Sequence, residues 1–183
     1  MIKRLRYVVS LLILLSLTPP MFSLANDLGI SFGHVGLFDQ YYHDGLHVHL
    51  GVVKGITERL EANVFTQSEI TPTVFGDVQV GLDIAYSLLG KRWDKHGYAG
   101  SGVNMLVSLG VLAGSHNPRS AFTIDSLYVK FTPVTVGTPH SGKRDRFLSM
   151  GVNWNIHANT FSLVWNFMIS DIYVLGTWRD EVN

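Results

Sequence analysis

Long apolar runs are almost missing from this chain. Only Tyr7 to Leu17 forms one, and it is shorter than the ~20 residues that a membrane-spanning helix requires. Lys3, Arg4 and Arg6 precede it, Pro19-Pro20 would break a helix after it, and Ser23-Leu24-Ala25 supplies small residues at a cleavage site. Residues 1–25 therefore read as a secretory signal peptide, with a retained membrane anchor as the rival. Residues 26–183 suit one domain. Cysteine is absent too, so an exported chain must be stabilised without disulfides, and a closed cylinder of backbone hydrogen bonds is one means. Charge is scarce at 15% of residues. Removing the three leading cations from the 14 Lys+Arg leaves 11 against 14 Asp+Glu, a net charge near −3. No basic stripe remains to grip a nucleic-acid backbone, and that class of partner is excluded.

What the chain does have is alternation. Leu46, Val48, Leu50 and Val52 share one face of an extended segment, and His47, His49 and Gly51 share the other. Val78, Val80, Leu82, Ile84 and Tyr86 oppose Asp77, Gln79, Gly81 and Asp83 in the same way. Leu148, Met150, Val152, Trp154 and Ile156 oppose Ser149, Gly151, Asn153 and Asn155. A two-residue period with recurrent glycine excludes helices here. Eight strands are expected: 28–38, 45–54, 58–67, 76–88, 102–113, 121–132, 147–156 and 160–169, separated by turn chemistry such as Lys54-Gly55 and His116-Asn117-Pro118. The first and sixth are mixed in pattern, and a slip or bulge in each would explain it. The segments 91–101 and 133–146 read as longer polar connections whose Lys91, Arg92, Lys95, Lys143, Arg144 and Arg146 give one basic rim.

An exported sheet that is apolar on one face and polar on the other points to a closed antiparallel up-and-down transmembrane β-barrel, apolar outside. Eight strands are expected, with nine to ten strands or a shortened larger barrel as alternatives, because Ile172 to Trp178 resembles one more strand. Phe38, Tyr41, Tyr42, Tyr86, Phe131, Phe147, Trp165 and Phe167 fall near the expected strand ends, where interfacial girdles belong. The expected site is a polar lumen network of Arg59, Glu61, Asn63, Asp77, Gln79, Asp83, His47 and His49. A turn at Gly55 would set Gly51 opposite Glu61 and His49 opposite Asn63. A loop at Thr71-Pro72 would set Glu61 opposite Asp83 and Phe65 opposite Gln79. Two adjacent carboxylates repel unless a cation such as Arg59 bridges them, so a charge-paired plug, a proton-sensitive gate and a cation site all follow. His47 and His49 have a spacing at which two rings can share a metal, but a third ligand, His34 or Asp44, is needed. With His34 facing outward the pair are polar lumen fillers, and neither metal nor cofactor is expected.

The segments Gly55-Ile56-Thr57-Glu58-Arg59-Leu60-Glu61-Ala62 and Gly76-Asp77-Val78-Gln79-Val80-Gly81-Leu82 resemble a hairpin and a following strand of bacterial outer-membrane barrels. The size and strand count are similar to the OmpW, OmpX and OmpA-barrel class. The chain departs from that pattern at its end, Trp178-Arg179-Asp180-Glu181-Val182-Asn183, where such barrels finish on an aromatic residue. The resemblance implies a non-enzymatic protein of the bacterial outer membrane, in contact with membrane lipid, lipopolysaccharide and the barrel assembly machinery. An eight-stranded cylinder is narrow enough for side chains to fill. Limited or gated passage of small solutes, apolar ones included, or a membrane-integrity or surface role, is therefore expected. Two alternatives stand beside it. One is a lipid A-modifying enzyme built on Asp125-Ser126 and His43, although adjacent strand residues should face opposite ways. The other is a secreted lipocalin-like carrier, whose inside should be apolar.

Overall fold

The computed structural model describes residues 27–38, 45–70, 75–89, 92, 102–114, 123–138 and 142–176. The expected signal peptide, Asp44, His43, Lys91, Lys95 and Trp178 lie outside them, as does the side chain of Asp77. Eight strands follow one another as β1 (Leu28–Phe38), β2 (Gly45–Gly55), β3 (Leu60–Ile70), β4 (Phe75–Ser87), β5 (Gly102–Gly114), β6 (Thr123–Thr138), β7 (Lys143–Asn155) and β8 (Thr160–Leu175). Each pairs antiparallel with its neighbours, and β8 closes onto β1, giving an up-and-down barrel. The start of β1, the end of β8, the β2–β3 turn and the β6–β7 turn share one end, hereafter the terminal end; the β7–β8 turn lies at the other.

Side chains alternate across this wall. Leu50, Val52, Val64, Leu82, Leu109 and Val152 are all about half exposed on the outside, whereas Glu61, Asn63, Asp83, Arg144 and Asp171 are buried within. Strand β1 alternates regularly and pairs with β2 without a break, while its register against β8 shifts between Leu28 and Gly29 and between Gly33 and Gly36. Leu28, Ile30, Phe32 and His34 point outward, and Val35 turns inward to pack with Val164 and Ile169. In β6 one irregularity accounts for the mixed pattern. The register shifts where Leu112 pairs Ser126 and Ala113 pairs Ile124, so Asp125 is an extra residue and both Asp125 and Ser126 are buried. A second shift surrounds Pro133, which has no N–H to give the ladder. The expectation that Asp125 and Ser126 face opposite ways is thus corrected by a bulge.

Several boundaries also move. The 133–146 connection is mostly strand, with β6 running to Thr138 and β7 starting at Lys143. The supposed ninth strand is the end of β8, which continues to Leu175 and pairs with β1 up to Leu28. Longer strands place Phe131, Phe147, Trp165 and Phe167 mid-strand rather than at strand ends, while Tyr86 keeps its place at the terminal end. Inside, a small apolar layer of Phe65, Leu112 and Tyr128 crosses the lumen. The layer needs Gly81, since a Cβ there would fall within the Phe65 ring.

Candidate functional site: a charge-filled lumen

The β2–β3 turn sets the first strand pair. Thr57 Oγ1 accepts hydrogen bonds from the backbone of Arg59 (3.2 Å) and Leu60 (3.0 Å), and Ile56 N donates to Leu60 O. This turn spans residues 56–59 and is longer than a tight reversal at Gly55. The register consequently slides by four residues from the expected one. Gly51 pairs Phe65, His49 pairs Gln67, and Gly55 pairs Glu61. The β3–β4 pair slides by two, because β3 runs on to Ile70, so Asn63 pairs Asp83 and Glu61 pairs Ala85. Shifts by even numbers preserve which face each residue occupies and change only its partners. The expected Glu61–Asp83 carboxylate pair therefore does not exist. Arg59 is corrected as well: it lies in the turn and reaches outward toward the Tyr86 hydroxyl at 3.5 Å.

Glu61 meets a cation from across the barrel. Arg144 donates through Nη1 and Nη2 to the two Glu61 carboxylate oxygens at 2.8 and 2.7 Å, a two-pronged pair. The same guanidinium donates to Asp171 through Nε (3.1 Å) and Nη2 (2.7 Å). Arg146 Nη2 holds the other Asp171 oxygen at 2.6 Å and donates to Ser31 Oγ at 2.8 Å. Ser31 Oγ in turn lies 3.0 Å from His49 Nε2. Arg144 also sits over the Tyr173 ring, 5.6 Å from its centre.

Arg92, from the β4–β5 connection, closes the terminal mouth. Its backbone N–H donates to Glu58 O (2.7 Å), Nε donates to Thr57 O (3.0 Å) and Nη2 donates to Asp27 Oδ2 (2.5 Å). Its Nη1 stands 3.8 Å from Glu61. The guanidinium occupies the space where a Cβ on Gly55 would be, which is why that position is glycine. One layer further in, Asp83 accepts from Asn63 Nδ2 (2.5 Å) and the Tyr128 hydroxyl (2.7 Å), with Lys130 Nζ at 3.8 Å. Thr132 and Ser149 bond at 2.7 Å beside them.

Among the described residues, four buried cations (Arg92, Lys130, Arg144 and Arg146) thus face four of the five buried carboxylates (Asp27, Glu61, Asp83 and Asp171), the fifth being Asp125. Beyond them, Val35, Phe65, Leu112 and Val164 with His49, Gln67 and Lys130 surround about 10 Å³ of space, room for one water. Among the described residues no group of three or more His, Cys, Asp or Glu side chains could hold a metal ion. His34 is exposed on the outer wall, away from the buried His47 and His49. Gln79 is half-buried opposite Gln67.

No family model, curated protein or solved structure matches the chain. The lumen's chemistry must be read from its own residues. The strand pattern located Glu61, Asn63, Asp83, His47 and His49, but missed every cation that now faces these carboxylates. Tyr128 and Lys130 carried a signal, since Leu127, Val129 and Phe131 alternate with them. Arg92, Arg144 and Arg146 looked like loop residues, and these three members of the supposed basic rim belong instead to the cationic half of the core, while Lys143 stays exposed. Asp125 lies near the opposite rim, accepting from Thr123 Oγ1 (3.0 Å) with His157 Nε2 at 3.7 Å.

Proposed function

We propose that the protein is a bacterial outer-membrane barrel whose lumen is closed by paired charges, and that it serves the membrane as a scaffold or surface element. The observation that carries this reading is the inverted polarity of the wall. At about 3.4 Å per residue and a tilt of about 40°, the outward residues from Val78 to Leu88 span roughly 26 Å, close to the ~25 Å apolar band of such barrels. Val103, Val107 and Leu109 on β5 and Met150 and Val152 on β7, with Ile156 just beyond it, extend the band around the cylinder. Water would have to cover all of this surface in a soluble protein, far beyond the few hundred Å² of contiguous apolar patch that is normal. A carrier of the lipocalin kind would have the opposite layering.

The lumen supports closure. Arg144 bonds to carboxylates on β3 and β8, and Arg92 fills the terminal mouth, so a solute passing through must separate several buried ion pairs. The reading is non-enzymatic. Planar-bilayer recording of refolded protein tests it: the native protein is expected to be electrically silent, and Arg144→Ala with Arg92→Ala to give discrete conductance steps. Steady native conductance would replace the closed scaffold with a pore. The lipid A-modifying alternative is tested by incubation with labelled lipid A; turnover lost in Ser126→Ala would establish it. Heat-modifiable gel mobility and insertion into vesicles test the membrane assignment.

A further inference from the structure

The lumen cavity of about 10 Å³ brings open space and orphaned polar atoms together. His49 and Gln67, paired across β2 and β3, both line it and are 3% and 4% exposed. Neither His49 Nδ1 nor Gln67 Oε1 has a hydrogen-bond partner among the described residues. Lys130 and Tyr128 complete the polar part of the lining, and both reach Asp83, the Lys130 ammonium only at 3.8 Å. A buried donor or acceptor left alone is costly, and two of them on one cavity point to an occupant that serves both.

The surrounding bonds place the hydrogens. Ser31 Oγ accepts from Arg146 Nη2 at 2.8 Å and lies 3.0 Å from His49 Nε2. Its own hydrogen has His49 Nε2 as its acceptor, so Nε2 is bare and the ring hydrogen of a neutral His49 sits on Nδ1. The opposite tautomer would bury the Ser31 hydrogen without an acceptor. His49 is held in this orientation by Phe65, whose ring lies 4.6 Å from its own at 38°. The cavity is therefore offered donors by His49 Nδ1 and by the Lys130 ammonium, and an acceptor by Gln67 Oε1.

We propose that this cavity binds a single long-lived water molecule, and that the water ties two lumen networks into one. It accepts from His49 Nδ1–H and from Lys130, and it donates to Gln67 Oε1. Three such partners are the usual complement of a buried water, and the volume suits one molecule. A halide ion could take both donors but has no hydrogen to give Gln67. Through this water the Arg146–Ser31–His49 chain meets the Lys130–Asp83–Tyr128 cluster, so the plug is continuous across the lumen. The inference deepens the closed-lumen reading, but it is measured without conductance or insertion, and each can fail alone.

The test is nuclear magnetic resonance of the refolded chain in detergent micelles, with nitrogen-15 in its histidines and His49 assigned by its loss in His49→Phe. The expected spectrum shows the His49 hydrogen on Nδ1, slow to exchange, with rotating-frame cross-relaxation to water. Gln67→Met keeps the side-chain volume and removes the acceptor, so that cross-peak should be lost; Gln67→Leu serves if the first variant does not fold. Titration with sodium bromide should leave the resonance in place. A hydrogen on Nε2 would overturn the proposal, as would an Nδ1 hydrogen without a water cross-peak or one exchanging too fast to observe. A cross-peak unchanged by loss of Gln67 would remove the bridge, and a saturable bromide shift would assign the cavity to a halide ion.

Discussion

At the scale of single residues, Arg144 is the most consequential side chain in the barrel. It touches Glu61 and Asp171 at once, and all three are almost wholly buried. Removing one member of a buried ion pair leaves an uncompensated charge, typically at a cost of about 3–5 kcal/mol. Arg144→Met is expected to lose stability on that order, read as a lowered urea midpoint with the slope unchanged. Arg144→Lys should restore little, because an ammonium cannot engage two carboxylates through a planar fork. Arg144→Met combined with Glu61→Gln should recover part of the loss, since it removes one of the stranded charges; no recovery would mean that Asp171 alone determines the cost. None of this was legible from residue types. Arginine in a polar stretch between expected strands reads as rim, and only the true starting point of β7 turns residues 144 and 146 inward.

At the scale of elements, turns and bulges decide who meets whom. Thr57 organises the β2–β3 turn with one hydroxyl that accepts two backbone donors. Thr57→Ala should cost about 1 kcal/mol, the usual net worth of such bonds, and Thr57→Ser should not. The measurement is again the urea midpoint. The β7–β8 turn uses the same principle: Asn155 Oδ1 accepts from His157 N and Ala158 N, and Asn159 takes a left-handed φ of 52°. That turn was readable, because asparagine tolerates the conformation. The bulge at Asp125 was not. An extra residue leaves the composition of a strand unchanged and only breaks its alternation, so the mixed sixth segment signals a bulge without giving its position.

At the scale of the whole molecule, closure joins the first strand to the last. Residues after Ile169 complete the β8–β1 seam and supply Asp171 and Tyr173 to the lumen. Truncation after Ile169, where the eighth strand was first expected to stop, removes the shared carboxylate of Arg144 and Arg146 and half-opens the seam. That protein is expected to lose the heat-modifiable gel shift in detergent, whereas the full chain should show it. A shift retained by the truncated chain would mean that closure does not need the stretch of β8 after Ile169.

The sequence by itself determined the all-β class and the face on which most strand residues stand, whereas the choice of eight strands over nine waited on the end of β8. Both depend on a period of two, which local spacing displays directly. Tertiary structure alone decided the partners: Glu61 with Arg144, Asp83 with Tyr128 and Lys130, and Arg92 in the mouth. The reason is physical. Facing is a property of one strand's pleat, but meeting across a cylinder depends on the summed length of every turn and bulge between two residues, and a slip of two leaves the pattern intact while replacing every neighbour.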